Sequence, residues 1–234
     1  MGLRGENPQG HGGEIHGAAR RGRRLDSYGQ RPPGGRGLCQ TDPGATRQVK
    51  VGIISDTHGG LKAWEEAMSG PLAGVELILH AGDVLYHGPR NPFPKDYDPQ
   101  TLAWAINHAP APLLIAKGNC DAEVDQLMIN FPLDAPYVYC LIDGITILML
   151  HGQEQDLDDL RVLGERYQVN LLISGHTHRP HLVKKGPLVL LNPGSPALPK
   201  DSPPTVALLE TEQRVVNLLD LGGQVLEEAV IKTD

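Results

Sequence analysis

The sequence has few cysteines and no long apolar run. Its three cysteines, Cys39, Cys120 and Cys140, include no C-x-x-C pair, so a disulfide framework is not indicated and a reducing compartment is favoured. No stretch of 18 apolar residues is present, and the N-terminus lacks the apolar core of a signal peptide. These absences predict a cytoplasmic protein that is neither secreted nor inserted in a membrane.

Charge is divided unevenly between the beginning and the body of the chain. Up to Lys50 there are nine Lys or Arg residues against four Asp or Glu residues, whereas the remainder carries twelve against twenty-four. Clustered basic residues bind phosphate backbones, so the acidic body argues against a nucleic-acid footprint there. Residues 1–48 are rich in Gly, Arg and Pro, which predicts a disordered extension. A targeting arm, a nucleic-acid tether and translated upstream sequence all fit that composition.

From Val49 onward, short apolar runs alternate with helical patterns. The order "VKVGIIS", "LKAWEEAM", "VELILH", "TLAWAINH" and "PLLIAK" indicates strand–helix–strand units with parallel pairing. After Pro180 the apolar runs lie close together, with Gly or Pro turns and no helical pattern between them. We therefore expect the runs after Pro180 to form a second, antiparallel or mixed sheet, with helices outside both sheets.

Polar side chains follow five of the predicted strands. They occur in "SDTH", "AGD", "GNCD", "HG" and "GHTH", and the set is Asp56, His58, Asp83, Asn119, His151, His176 and His178. An isolated His or Asp at a strand end is usually a capped turn or a satisfied hydrogen bond. Seven such groups at one edge are harder to explain in that way, because this edge is where α/β sheets bind ligands. The pattern favours a metal site.

Four His, two Asp and one Asn are more ligands than one ion needs. They suit two ions that share one carboxylate. Paired ions about 3.5–4 Å apart clamp phosphoryl oxygens and lower the pKa of a bridging water, which generates hydroxide at neutral pH. Charge spreads over the phosphoryl oxygens in the transition state and needs this neutralisation. Metal-assisted hydrolysis of a phosphate ester is the predicted reaction class.

In order and spacing, these motifs resemble the signature of the calcineurin-like metallophosphoesterases. The stretches "GDVLYHGPRNP", "GNCDAEVDQ", "SGHTHRP" and "LNPGSPALPK" are similar to those of the small bacterial YfcE-type phosphodiesterases. The resemblance covers residues 49–234 and implies a four-layer αββα sandwich of two mixed sheets flanked by helices. It also implies a small phosphodiester substrate and assembly as a homo-oligomer.

The resemblance further implies how the ligands are divided between the ions. Asp56, His58 and His178 would hold one metal and Asn119, His151 and His176 the other, with Asp83 bridging both. We also expect Asp83 and Asn119 to be catalytic. Manganese is the usual activator in this branch, and the mixed nitrogen and oxygen ligands would also accept iron, cobalt, nickel or zinc.

The sequence departs from many members of the family at Cys120. Relatives with "GNHD" or "GNHE" have a His there that serves the leaving oxygen. We expect Cys120 to lie beside the substrate as a poor substitute for that acid, while a metal ligand or a buried structural thiol are the alternatives. The Pro-rich insertion at residues 86–99 follows Asp83 closely enough to roof a pocket, so His87 and Arg90 are candidate substrate contacts, although a plain surface loop fits as well.

Three functions compete on the sequence alone. The favoured one is a metal-dependent phosphodiesterase. A nuclease or protein phosphatase is disfavoured by the acidic body and by the absence of "GNH". A non-catalytic scaffold of the retromer-subunit type is the third, but all seven ligand positions are filled, which argues for catalysis.

Overall fold

The computed structural model describes residues 49–133 and 135–232. The predicted disorder of residues 1–48 concerns a segment outside the described residues. The helices within the described ranges are α1 (Leu61–Ser69), α2 (Pro99–Asn107) and α3 (Leu157–Tyr167). The strands are β1 (Lys50–Ile54), β2 (Leu77–His80), β3 (Leu113–Ile115), β4 (Tyr137–Ile142), β5 (Ile145–Leu150), β6 (Leu171–Ile173), β7 (His181–Lys185), β8 (Leu188–Asn192), β9 (Thr205–Glu210), β10 (Val215–Asp220) and β11 (Val225–Val230).

The strands form two mixed sheets. The first has the order β11-β10-β9-β1-β2-β3 and the second the order β4-β5-β6-β8-β7. β1, β2 and β3 are parallel, as are β5, β6 and β8, which confirms the predicted parallel units. The prediction that the runs after Pro180 form the second sheet is wrong in part, because β9 pairs antiparallel with β1 and carries β10 and β11 into the first sheet.

The two sheets pack face to face with helices on both outer surfaces. Val51 and Ile53 of β1 share a buried cluster with Ile147 of β5 and Ile173 of β6. On the other face of the first sheet, Ile54 packs with residues of α1 and α2. α3 covers the second sheet through a separate cluster. The predicted αββα sandwich is confirmed, and burial of both faces explains why the central strands are apolar throughout rather than alternating.

Local sequence explains where two of the helices begin. Asp98 caps α2 by accepting a hydrogen bond from the Thr101 amide at 3.0 Å, and Pro99 occupies the first turn. Asp156 and Asp159 form a capping box at the start of α3. Such caps stabilise a helix by about 1 kcal/mol each. No helix in the described ranges is both long and apolar enough to cross a lipid bilayer.

Parallel pairing determines where the polar turns lie. The carboxyl ends of β1, β2 and β3 meet at one edge of the first sheet, and those of β5 and β6 meet at one edge of the second. Hydrogen bonds join the two edges: Ala81 accepts one from the His151 side chain, and Asp56 accepts one from the His176 amide. The turns of both sheets therefore surround one site.

Candidate metal centre

The structure brings six of the seven predicted ligands into two groups. In each group one ligand atom per residue lies within 4.8 Å of the others, and the groups are Asp56 with His58 and His178, and Asp83 with His151 and His176. All of these residues are buried except His176, which is half-buried. Asn119 is exposed and lines the cavity above Asp83 and His176.

The carboxylate of Asp83 reaches both groups. Its Oδ2 lies 3.2 Å from Nε2 of His151 and 3.6 Å from Nε2 of His58. Its Oδ1 accepts a hydrogen bond from the backbone amide of Cys120 at 2.8 Å, which fixes the orientation of the carboxylate. Oδ2 is thus directed between imidazoles that belong to different groups.

Three of the histidines are held by backbone carbonyls. The Nδ1 atoms of His58, His151 and His178 each lie 2.7 Å from a carbonyl oxygen, those of Tyr86, Ala81 and Leu198 respectively. A carbonyl can only accept, so in the neutral form of each ring Nδ1 carries the proton and Nε2 presents a lone pair. This arrangement is the usual outer support of a metal-binding histidine.

The lone pairs converge without a donor between them. Nε2 of His58 and Nε2 of His178 are only 3.1 Å apart. Among the described residues, the buried Nε2 of His151 and the buried Oδ1 of Asp56 have no hydrogen-bond partner. Buried acceptors without donors are costly unless a cation is bound. The residues present therefore fit divalent metal ions.

Electrostatics favours cations in the same place. Burial alone would raise the pKa of Asp56, yet His178 and His58 hold it well below its usual range. Burial alone would lower the pKa of His151, yet Asp83 and Asp56 raise it to about 9. In the absence of metal the carboxylates therefore attract protons to the imidazoles. A divalent ion would replace those protons.

The turns that carry the ligands have an unusual backbone conformation. Five of the predicted ligands have positive φ, between 44° and 69°: Asp56, His58, Asp83, His176 and His178. Non-glycine residues rarely adopt this region, although Asp and His do so more readily than most. The cost is about 1 kcal/mol or more for each residue and is typical of functional sites.

The sequence analysis missed the residues that hold the ligand turns. Asp121, in the "GNCD" turn, accepts hydrogen bonds from the amides of Asp83, Val84 and Gly118 at 2.7–2.9 Å. Gly118 has no room for a side chain, because a Cβ there would overlap Asp83. The available signal was the position of Asp121 in the "GNCD" turn, three residues after Gly118.

A second set of supports surrounds Asp56. Its Oδ2 accepts from the Ser55 hydroxyl at 2.6 Å and from the His176 amide at 2.9 Å. Its backbone carbonyl accepts from the Ser195 hydroxyl at 2.7 Å. Ser195 belongs to the "NPGS" segment, so this segment helps to hold the backbone of Asp56 in place.

Cys120 lies at the edge of the candidate metal centre. Its Sγ is within 4.8 Å of ligand atoms of His58 and Asp83 and 3.3 Å from Nδ2 of Asn119. Burial first, and then Asp83, raise the pKa of the thiol to about 12. A bound cation would lower the pKa of the thiol. The thiol thus lies close to the predicted ligands and also lines the cavity.

A cavity of about 870 Å³ opens above the ligands. Asn119, Cys120 and Arg90 line it, as do Arg179 and Lys200. His87 is not among the lining residues.

The structure places His87 in an aromatic cluster instead. Its ring centroid lies 4.1 Å from that of Phe93, 4.6 Å from that of Tyr86 and 5.3 Å from that of Tyr97. Packing of this kind stabilises the loop of residues 86–99. His87 therefore supports the wall of the cavity through its neighbours, and Arg90 is the residue of the pair that faces the cavity.

Known proteins share both the sequence pattern and the fold. Residues 49–214 match the calcineurin-like phosphoesterase superfamily domain. The chain is 33% identical over 178 residues to the phosphodiesterase YfcE of Escherichia coli K12, covering 75% of this chain and 94% of YfcE. A probable metallophosphoesterase of Methanothermobacter thermautotrophicus is 31% identical, covering 78% of this chain and 92% of that protein.

Solved structures agree with the sequence relatives. The structure of YfcE, a phosphoesterase from E. coli, superposes with a TM-score of 0.70 at 30% identity, covering 79% of this chain and all of that one. A Vps29 structure from Entamoeba histolytica, complexed with zinc, has a TM-score of 0.52 at 20% identity, covering 77% of this chain and 98% of that one. The second likeness shows the fold alone. With its fold, ligand turns and relatives in agreement, the chain belongs to the calcineurin-like phosphoesterase superfamily.

Proposed function

We propose that the protein is a metal-dependent phosphodiesterase that uses two divalent ions. One ion would be held by Asp56, His58 and His178. The other would be held by Asn119, His151 and His176, with Asp83 shared between the two. We propose manganese as the working metal, because the YfcE-type resemblance implies it and the mixed ligands suit it. The proposed place of action is the cytoplasm.

The position of Asp83 is the observation that carries this proposal. Its Oδ2 is directed at Nε2 of His151 and of His58, which belong to different groups. A carboxylate whose Oδ1 is held by a backbone amide and whose Oδ2 lies between imidazoles of two groups is the arrangement that a shared ligand of two ions requires. A site for one ion would leave the second group of buried acceptors without a partner.

The chain's own groups define the chemistry. Two bound ions would supply a hydroxide nucleophile and neutralise the phosphoryl oxygens. Asn119 lines the same cavity as Asp83 and His176, which supports a role for its amide in orienting a phosphoryl oxygen as well as in binding metal. Asp121 and Ser55 hold Asp83 and Asp56 in the required orientation. The leaving oxygen would face Cys120, which is a weak proton donor compared with the His of "GNHD".

Hydrolysis of bis-p-nitrophenyl phosphate tests the proposal. Chelator-treated protein is assayed with and without manganese, cobalt, nickel or zinc, and bound metal is counted by elemental analysis. We expect metal-dependent turnover and two ions per chain. Asp83→Asn should abolish turnover and reduce the metal count to one or none. Asp158→Asn, on the exposed surface of α3, is the control for loss of one negative charge.

The same experiment separates catalysis from a scaffold role. Binding of two ions without turnover for any of the four metals would support a non-catalytic scaffold. Failure to bind metal at all would overturn both readings. The homo-oligomer implied by the resemblance is tested separately, by light scattering on the purified protein.

A further inference from the structure

Three basic side chains line the cavity together with the candidate metal centre: Arg90, Arg179 and Lys200. Arg90 lies in the loop that follows β2 of the first sheet. Arg179 and Lys200 follow β6 and β8 of the second sheet. Loops of both sheets thus bring positive charge to the same space.

These three residues are connected to the ligand turns. The backbone amide of Lys200 donates to the carbonyl of His178 at 3.0 Å, and Arg179 directly follows His178 in the chain. The turn that carries Arg90 is closed by Asn91, whose side-chain amide donates to the His87 carbonyl at 2.9 Å. The backbone positions of Arg179 and Lys200 are therefore fixed relative to the metal centre.

The turn that carries Arg90 also packs closely against the candidate metal centre. A Cβ on Gly88 would lie 2.8 Å from Sγ of Cys120, so the backbone of the Arg90 loop approaches as closely as a residue without a side chain permits. Gly88 has φ +79°, a conformation that glycine adopts freely. This close packing positions the loop so that Arg90 lines the cavity.

A cluster of positive charges is unusual in the acidic body of this chain. Beyond Lys50 only twelve Lys or Arg residues face twenty-four Asp or Glu residues, yet three of the twelve line one cavity. Within the described residues, the side chains of Arg90 and Lys200 have no carboxylate partner, while Arg179 pairs with the exposed Asp201 at 2.7 Å. Two of the three cations are thus free to meet an anion that enters from solvent.

We propose that the substrate is a phosphodiester carrying a second phosphate group, which Arg90, Lys200 and Arg179 bind while the first phosphate is hydrolysed. This inference rests on the proposed phosphodiesterase function. The single charge of a simple diester would be neutralised at the metal centre and would leave Arg90 and Lys200 without an anionic partner. A phosphate monoester group at some distance from the scissile bond supplies two further negative charges for them.

A matched pair of substrates tests the proposal. Thymidine 5′-(p-nitrophenyl phosphate) is compared with the same compound bearing a 3′-phosphate, in manganese-loaded protein at low salt. Both release p-nitrophenolate, so the bond that breaks and the detection are the same. We expect kcat/KM to be about tenfold higher for the 3′-phosphorylated compound, as for one charge-assisted contact. The preference should shrink as sodium chloride is added.

Substitutions identify the residues responsible. The triple variant Arg90→Gln, Arg179→Gln and Lys200→Gln should lose the preference, so that the ratio of the two kcat/KM values falls to about one. Asp201→Asn should increase the ratio, because it frees Arg179. A control triple, Lys62→Gln, Arg161→Gln and Arg166→Gln, removes the same net charge from helices α1 and α3, away from the cavity lining, and should keep the ratio.

Each outcome has a definite meaning. Hydrolysis of both compounds with equal kcat/KM, or a preference that the first triple variant keeps, would overturn the second-phosphate subsite and leave the phosphodiesterase intact. Hydrolysis of neither compound would overturn the proposed function. Binding of thymidine 3′,5′-bisphosphate and of thymidine 5′-monophosphate, followed by calorimetry, then tests the subsite independently. Equal affinities for these two ligands would overturn it.

Discussion

Asp121 accepts a hydrogen bond from the backbone amide of Asp83 through Oδ2 at 2.9 Å. The same oxygen accepts from Gly118 at 2.7 Å, and Oδ1 accepts from Val84 at 2.7 Å. One buried carboxylate therefore holds the turn after β2 and the turn after β3 together. The position of Asp83 depends on a residue that need not touch metal or substrate.

Asp121→Asn should weaken metal binding without removing a ligand. An amide has only one acceptor oxygen, so its NH2 group would face a backbone donor. We expect a loss of about 1–3 kcal/mol in the free energy of unfolding and about 10–100-fold in metal affinity. Urea denaturation and metal titration measure these effects.

Asp125→Asn is the matched control for Asp121→Asn. Asp125 is also buried, but its carboxylate accepts a hydrogen bond from the Ala122 amide, at 2.9 Å, and not from a ligand turn. The Asp125→Asn variant should therefore lose some stability while keeping the metal affinity of the wild type. Equal metal affinities in wild type and Asp121→Asn would show that Asp83 is positioned by other contacts.

Cys120→His should broaden the range of leaving groups. With a thiol in place of the general acid, wild-type kcat/KM for thymidine 5′-aryl phosphates should fall steeply as the pKa of the leaving phenol rises, so that aryl diesters are cleaved far better than alkyl ones. A His beside the leaving oxygen would reduce that slope, because it can donate a proton.

The control for this substitution is Cys140→Ser. Cys140 lies on β4, outside the cavity lining. It should keep the wild-type slope. An unchanged slope in Cys120→His would mean that this position does not act on the leaving group.

Glycine at a ligand position should relieve backbone strain. His176 has φ 69°, and this backbone conformation has a higher free energy for Ala than for Gly. Both His176→Gly and His176→Ala remove the imidazole, so their difference reports on the backbone alone. We expect the Gly variant to be more stable by about 1 kcal/mol, measured by urea denaturation of metal-free protein. A more stable Ala variant would contradict the idea that this turn is strained.

His80 should make the metal-free protein sensitive to mild acid. Its Nε2 is 3.0 Å from the Thr57 hydroxyl, and the hydroxyl donates to the Val84 carbonyl, so Nε2 carries the proton. Its Nδ1 accepts from the Gly82 amide at 3.1 Å. A second proton would break that bond, and burial lowers the pKa of His80 to about 4.

The direction of the pH effect follows from proton binding. Between about pH 4 and the unfolded value of about 6.5, the unfolded chain binds a proton at His80 that the folded chain does not. The free energy of unfolding should therefore fall as pH is lowered through this range, by up to about 3 kcal/mol from this residue. His80→Gln, which cannot titrate, should show a smaller fall. If the free energy of unfolding of wild type and of His80→Gln falls equally with pH in urea denaturation, the acid sensitivity belongs to other groups.

The sequence predicted the architecture and the ligand turns for one physical reason. Parallel strands bring their carboxyl ends to one edge of a sheet, so Asp56 could be grouped with Asp83, and His151 with His176, before any distance was known. The placement of β9 could not be predicted in this way. An apolar strand after a turn fits either sheet, and only the pairing of β9 with β1 decides between them.

The finer features of the site were not readable from the pattern. The aromatic environment of His87 depends on how the loop of residues 86–99 folds back, which Pro and Gly residues permit but do not determine. The role of Lys200 depends on a backbone hydrogen bond to His178 across 22 residues. Both are tertiary contacts that follow from no local periodicity.

The distribution of the proposed ligands over both sheets would couple metal binding to the stability of the whole domain. His58 and His178 face each other across 120 residues of sequence, and neither sheet alone carries a complete group. Bound ions would act as a cross-link between the sheets, stabilising the folded chain by mass action as their concentration exceeds the dissociation constant. The melting temperature should then rise with metal concentration. A simple thermal scan would thus rank metals by affinity, with no substrate needed.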